Sequence, residues 1–132
     1  MLPAHVRDPA IAVMWITGWL DRLGAVTMTP DAPIAVFSEP SGLVARVRVD
    51  AKATFSDGRV LHVRVELDGH LEARAYRFDL VSGSERRWGW HGHPEPVGFH
   101  HRHLPPDFSA SPSPAASFEE IEELVHGGDL SG

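Results

Sequence analysis

The chain has no cysteine. Disulfides, thiolate metal sites and cysteine nucleophiles are therefore excluded, and any chemistry must come from nitrogen and oxygen groups. Long hydrophobic runs are also missing. The one strongly apolar segment, Ala10 to Leu20, is too short to span a bilayer. A secretion signal would open with a basic stretch, but here Arg7 is followed directly by Asp8 and Pro9, so this segment is expected to be a core helix. Basic residues are absent from the C-terminal part. Met1 to His103 holds 12 basic and 12 acidic residues, whereas Leu104 to Gly132 holds 6 acidic residues and no basic ones. The net charge of −6 thus belongs to the tail, and residues 43–103 carry 10 basic against 8 acidic side chains. There is one tyrosine and no internal repeat.

What the chain does have is histidine. Five of its nine histidines fall within Trp88 to His103, which reads Trp-Gly-Trp-His-Gly-His-Pro-Glu-Pro-Val-Gly-Phe-His-His-Arg-His. Imidazole titrates near neutrality and ligates metals, so such density points to proton transfer or metal binding.

At 132 residues one domain is expected. Asp8-Pro9 sets a helix start, with Asp as N-cap and Pro at N1, and Gly24 sets its stop. A short strand is expected at Ile34 to Ser38. From Leu43 to Phe55 the odd positions are apolar, and from Arg46 the even positions are polar, which is the period-two pattern of a strand with one dry face. Asp57-Gly58, Asp68-Gly69 and Ser82-Gly83 punctuate three further strands. In the third, the apolar phase slips from Leu71, Ala73 and Ala75 to Tyr76, Phe78 and Leu80, which predicts a bulge near Ala75–Tyr76. The fourth, Ser84 to His91, places Arg86, Trp88 and Trp90 on one face and Arg87, Gly89 and His91 on the other. Phe99 to His103 is expected as an edge strand or extended loop.

The fold class is therefore α+β. It is an antiparallel meander of about four to five strands, with the N-terminal helix packed on one face and a short C-terminal helix. The domain plan is a single α+β domain over 1–108, a Ser/Pro/Ala linker over 109–117, and an acidic C-terminal helix and tail over 118–132. Ser117 to Glu120 forms a capping box, and Phe118, Ile121, Leu124 and Val125 make one apolar stripe. So short a helix needs a surface, and it is expected to dock on its own domain over the arginine face.

Two chemistries fit the histidine stretch. As a metal site, His91, His93, His101 and His103, with Glu95, supply enough donors for a divalent transition metal such as zinc, nickel or copper. As a metal-independent ribonuclease site with no cofactor, His100, His101 and His103, with His93 as an auxiliary, supply the acid and the base. Arg86, Arg87 and Arg102 would then contact phosphate, Arg64 and the other sheet arginines would steer nucleic acid, and Trp90 would offer a face for unpaired bases.

The order of these features resembles the TumE-type toxins of prokaryotic toxin–antitoxin modules. It runs through Asp57-Gly58 before Val60-Leu61-His62-Val63, then Tyr76-Arg77-Phe78, an arginine-rich strand, His93-Pro94-Glu95, Phe99-His100-His101-Arg102-His103, a proline, and Phe118-Glu-Glu-Ile-Glu-Glu-Leu. The resemblance covers residues 43–126, with Arg102 where that family usually has lysine. It implies a cytoplasmic toxin with no membrane association, neutralised by a helix-turn-helix antitoxin. By analogy with small toxins generally it implies RNA as target. The rival reading is a non-enzymatic, His-rich metal-binding or protein-interaction module.

Overall fold

A computed structural model describes residues 1–127; the last five residues of the expected acidic tail lie outside it. Helix α1 spans Pro9–Arg22. The Asp8 carboxylate caps it by accepting from the Ala10 and Ile11 amides, and Gly24 follows with φ of 75°. Among the described residues eight strands follow: β1 Thr27–Thr29, β2 Ile34–Ser38, β3 Val44–Thr54, β4 Arg59–Asp68, β5 Ala73–Ser82, β6 Glu85–Gly92, β7 His100–His103 and β8 Ala110–Pro112. Helix α2, Phe118–Gly127, closes the described chain. The strands form one antiparallel sheet in the order β1-β3-β4-β5-β6-β7-β8, with β2 also paired to β3. Among the described residues no helix is long and apolar enough to cross a membrane.

The α+β class and the meander are as expected, but four to five strands is an undercount. The three-residue strands β1 and β8 are too short to carry a period, and only pairing with β3 and β7 makes them strands. The expected linker is corrected for the same reason. Residues 110–112 extend the sheet beyond β7, and Ala116 is fully buried, its amide donating to the Tyr76 hydroxyl. The phase slip in β5 is a real bulge. Glu66 pairs with Ala75 and Leu67 with Ala73, so Arg74 is the extra residue.

Alternation sets the two faces. Val47, Val49, Leu61, Val63, Val65, Leu67, Tyr76, Phe78, Leu80, Trp88 and Trp90 face the core. Ile16, Trp19 and Leu20 of α1 cover them, as do Phe118, Ile121 and Val125 of α2. Trp19 meets Phe118 edge to face at 4.8 Å, and its indole N–H donates to the Phe118 carbonyl at 2.6 Å. Helix α2 therefore docks on its own domain, but beside α1 on the apolar face. The expected docking over the arginines is overturned, because the Phe118 stripe buries more on the dry side than its glutamates gain on the wet side. The opposite face of β3–β7 is left polar.

Candidate functional site

Register fixes what shares the polar face. One row across the sheet runs Asp50, Arg64, Arg77, His91 and His101. The next runs Lys52, His62, Asp79, Gly89 and His103. The side chains over β3–β6 line a groove of about 450 Å³, which carries Lys52, Arg64, Arg77 and Arg86 against Asp50 and Asp79. Four cations over two carboxylates leave it positive although the whole chain is acidic. The histidines sit at the β6–β7 end of this face.

Asp79 holds the centre. Its carboxylate accepts from His91 Nε2 at 2.9 Å and lies 3.5 Å from Arg77 and 3.6 Å from Arg86. Burial alone would raise its pKa, but the His91 hydrogen bond and charge, then the charges of Arg86 and Arg77, outweigh burial and hold it below the usual carboxylate range. For His91 burial dominates over Asp79 and lowers its pKa, favouring the neutral ring. A neutral ring that donates from Nε2 keeps a lone pair on Nδ1. Gly89 makes the contact possible, since a Cβ there would strike Asp79 Oδ1 and crowd His91 Nε2.

The other rings are oriented by backbone carbonyls. His93 Nδ1 lies 3.2 Å from the Pro94 oxygen, His101 Nδ1 lies 3.2 Å from the Gly98 and Phe99 oxygens, and His103 Nδ1 lies 2.7 Å from the Phe108 oxygen. Donation from Nδ1 in each leaves Nε2 as the free basic nitrogen. His91 and His101 are buried, whereas His93 and His103 are partly exposed. Ring centroids lie 4.6 Å apart for His91–His103 and for His93–His101. His101 Nε2 is buried with no hydrogen-bond partner among the described residues, an arrangement that costs about 1–3 kcal/mol if nothing meets it. One ring nitrogen from each of His91, His93 and His101 lies within 4.8 Å of the other two. His103 is outside that trio, and Glu95 is exposed and not part of it.

Several expected site residues are placed elsewhere. Alternation along β7 sends His100 to the core side, where its Nδ1 is 2.8 Å from the Tyr76 hydroxyl, away from His101 and His103. Arg102 follows His100's side, pairs in register with Trp90, and sits 6.0 Å over its ring. Trp90 is 6% exposed and offers no open stacking face. Arg86 was expected beside the tryptophans. The register shift opposite Leu80/Val81 makes Arg87 the unpaired residue and carries Arg86 over to the polar face. Arg87 is exposed and does not line the groove, while Arg64 does. Asp79 and Gly89 were missed. The signals were present in the Trp-Gly-Trp sequence, where a glycine inside a strand marks close approach, and in an aspartate on the wet side of Phe78-Asp79-Leu80.

Fold and site together define an antiparallel-sheet protein with a helix-covered apolar face and a cationic, histidine-bearing polar face. A family model described as Toxin TumE matches residues 30–127. The chain belongs to the TumE toxin family, and membership implies an antitoxin partner. No curated protein and no solved structure matches it.

Proposed function

We propose that this TumE-family chain is a toxin that cleaves RNA on the polar sheet face, restrained by a helix-turn-helix antitoxin. The observation that carries the reading is the pair His93 and His103. Both imidazoles are partly exposed, both have Nδ1 committed to a backbone carbonyl, and they flank the buried His91 at the end of a groove lined by four cations. One imidazole Nε2 takes the proton of a ribose 2′-hydroxyl, and the 2′-oxygen attacks phosphorus. The 5′-oxygen leaves with a proton from the other imidazole, giving a 2′,3′-cyclic phosphate and a 5′-hydroxyl. Arg64, Arg77 and Arg86 bind the phosphates and the charge that builds on them. Asp79 and His91 position this array from below.

The test compares an RNA oligonucleotide with its all-2′-deoxy counterpart. The RNA is expected to be cut with a cyclic phosphate end and the DNA left intact. His103→Ala and His93→Ala are each expected to slow cleavage by about 10²–10⁴-fold while the fold is retained. Intact RNA with the wild-type chain, or full-rate cleavage by both variants, would overturn the reading.

A further inference from the structure

We infer that His91, His93 and His101 form a binding site for one divalent transition-metal ion of the zinc, nickel or copper class. Three imidazole nitrogens already converge within 4.8 Å of one another. Nitrogens sharing a tetrahedral ion at ~2.0–2.1 Å stand roughly 3.3 Å apart, so modest side-chain rotation closes the set. One nitrogen of each ring is held by a hydrogen bond, which leaves the other for an ion. His91 Nε2 is on the Asp79 carboxylate at 2.9 Å, His93 Nδ1 on the Pro94 carbonyl, and His101 Nδ1 on the Gly98 and Phe99 carbonyls. This is the support that metal-ligating histidines use, fixing the tautomer and aiming the lone pair inward.

The decisive group is His101. It is fully buried, and among the described residues its Nε2 has no partner. Trp88 Nε1 and Arg102 Nε are also buried without partners, but only His101 Nε2 has a lone pair and two further imidazoles beside it, so a bound ion can supply what it lacks. His91 and His101 are direct cross-strand partners on β6 and β7, so the backbone ladder sets their spacing before any ion arrives. His93 follows two residues along. His103 stands next to the trio, with ring centroids 4.6 Å from His91 and 5.4 Å from His101. Three imidazoles with no thiolate and one open position suit zinc, nickel or copper better than magnesium or calcium.

This inference goes beyond the RNA reading and does not depend on it. The two meet at His93, because an ion on its Nε2 removes the nitrogen used for proton transfer. Metal-loaded protein is therefore expected to lose cleavage by that route.

The test uses the full chain, made without a histidine tag and stripped with chelator. Zn²⁺ is titrated by calorimetry, and Co²⁺ is followed by its visible absorption. One ion per chain is expected, with tetrahedral Co²⁺ bands. Asp79→Asn is expected to weaken binding by about 10–100-fold through loss of the support to His91. His93→Ala and His101→Leu are expected to weaken it further, and His100→Ala, on the other side of β7, to leave it unchanged. His93 lies outside the strands, so its variant keeps the test valid if the His101 variant misfolds. Absence of stoichiometric binding would overturn the inference, as would binding that survives His93→Ala or falls equally with His100→Ala. Cleavage of RNA by the stripped protein is scored separately. Metal binding without cleavage would sink only the RNA reading, and cleavage without metal binding would sink only this one.

Discussion

At the scale of single residues, Gly89 is the position on which the site's geometry turns. It lies between Trp88 and Trp90, whose side chains fill the opposite face, and its missing Cβ is the space in which Asp79 meets His91. Gly89→Ala is expected to force that pair apart and leave buried hydrogen-bonding groups unmet. The loss should be about 1–3 kcal/mol in unfolding free energy, read from urea denaturation. It should also remove the downfield proton resonance of the His91 Nε2–H donated to Asp79. A variant with wild-type stability and that resonance unchanged would show that the contact does not need the glycine. Tyr76 shows the same economy on the core side. Its hydroxyl accepts from the Ala116 amide and reaches His100 Nδ1, which ties His100 to structure rather than to the polar face.

Among the elements, α2 carries the heaviest consequence. Ser117 Oγ accepts from the Glu120 amide at its start, as the capping box requires. Arg59 donates to the Val125 carbonyl at its end. The surface pair Arg22–Glu122, at 3.2 Å and half exposed on the arginine side, adds about 0–1 kcal/mol. Phe118 does far more. It is fully buried, with Trp15, Trp19 and Phe78 around it edge to face at 5.8, 4.8 and 5.7 Å. Phe118→Ala is expected to cost about 3–5 kcal/mol in urea or thermal unfolding. A loss below about 1 kcal/mol would mean that α2 docks weakly and that the two helices do not share one core.

The whole molecule separates its charges and its polarity by face. Both helices lie on the apolar side of the sheet, so the glutamates of α2 do not cover the cationic groove. Deleting residues 109–132 should therefore unfold the chain by removing β8 and exposing Trp19 and Phe78, and should not raise its affinity for RNA. RNA binding is expected to weaken with salt. Arg64→Ala should reduce the slope of log K against log salt by about 0.7, the value for one phosphate contact on a single strand. An unchanged slope would place the RNA away from the groove. The sequence by itself determined the α+β class, the α1 cap, the hairpin turns, the β5 bulge and the assignment of β3 and β4 side chains to a dry and a wet face. These are local properties, written in the period of two and in capping and turn residues within a few positions of one another. It also marked the histidine stretch as the candidate site, and four of its five histidines come together on one face. Only the tertiary structure decided the rest. Pairing with β6 and β8 made His100–His103 a strand, whose alternation splits His100 and Arg102 from His101 and His103, a bulge carried Arg86 to the groove, and Asp79 met His91 across a strand pair. Pairing with β7 made a strand of a Ser/Pro segment, and α2 was sent to the apolar side. Each of these depends on which residues stand opposite one another in neighbouring elements, and cross-strand contacts and packing between distant segments leave no local period to read.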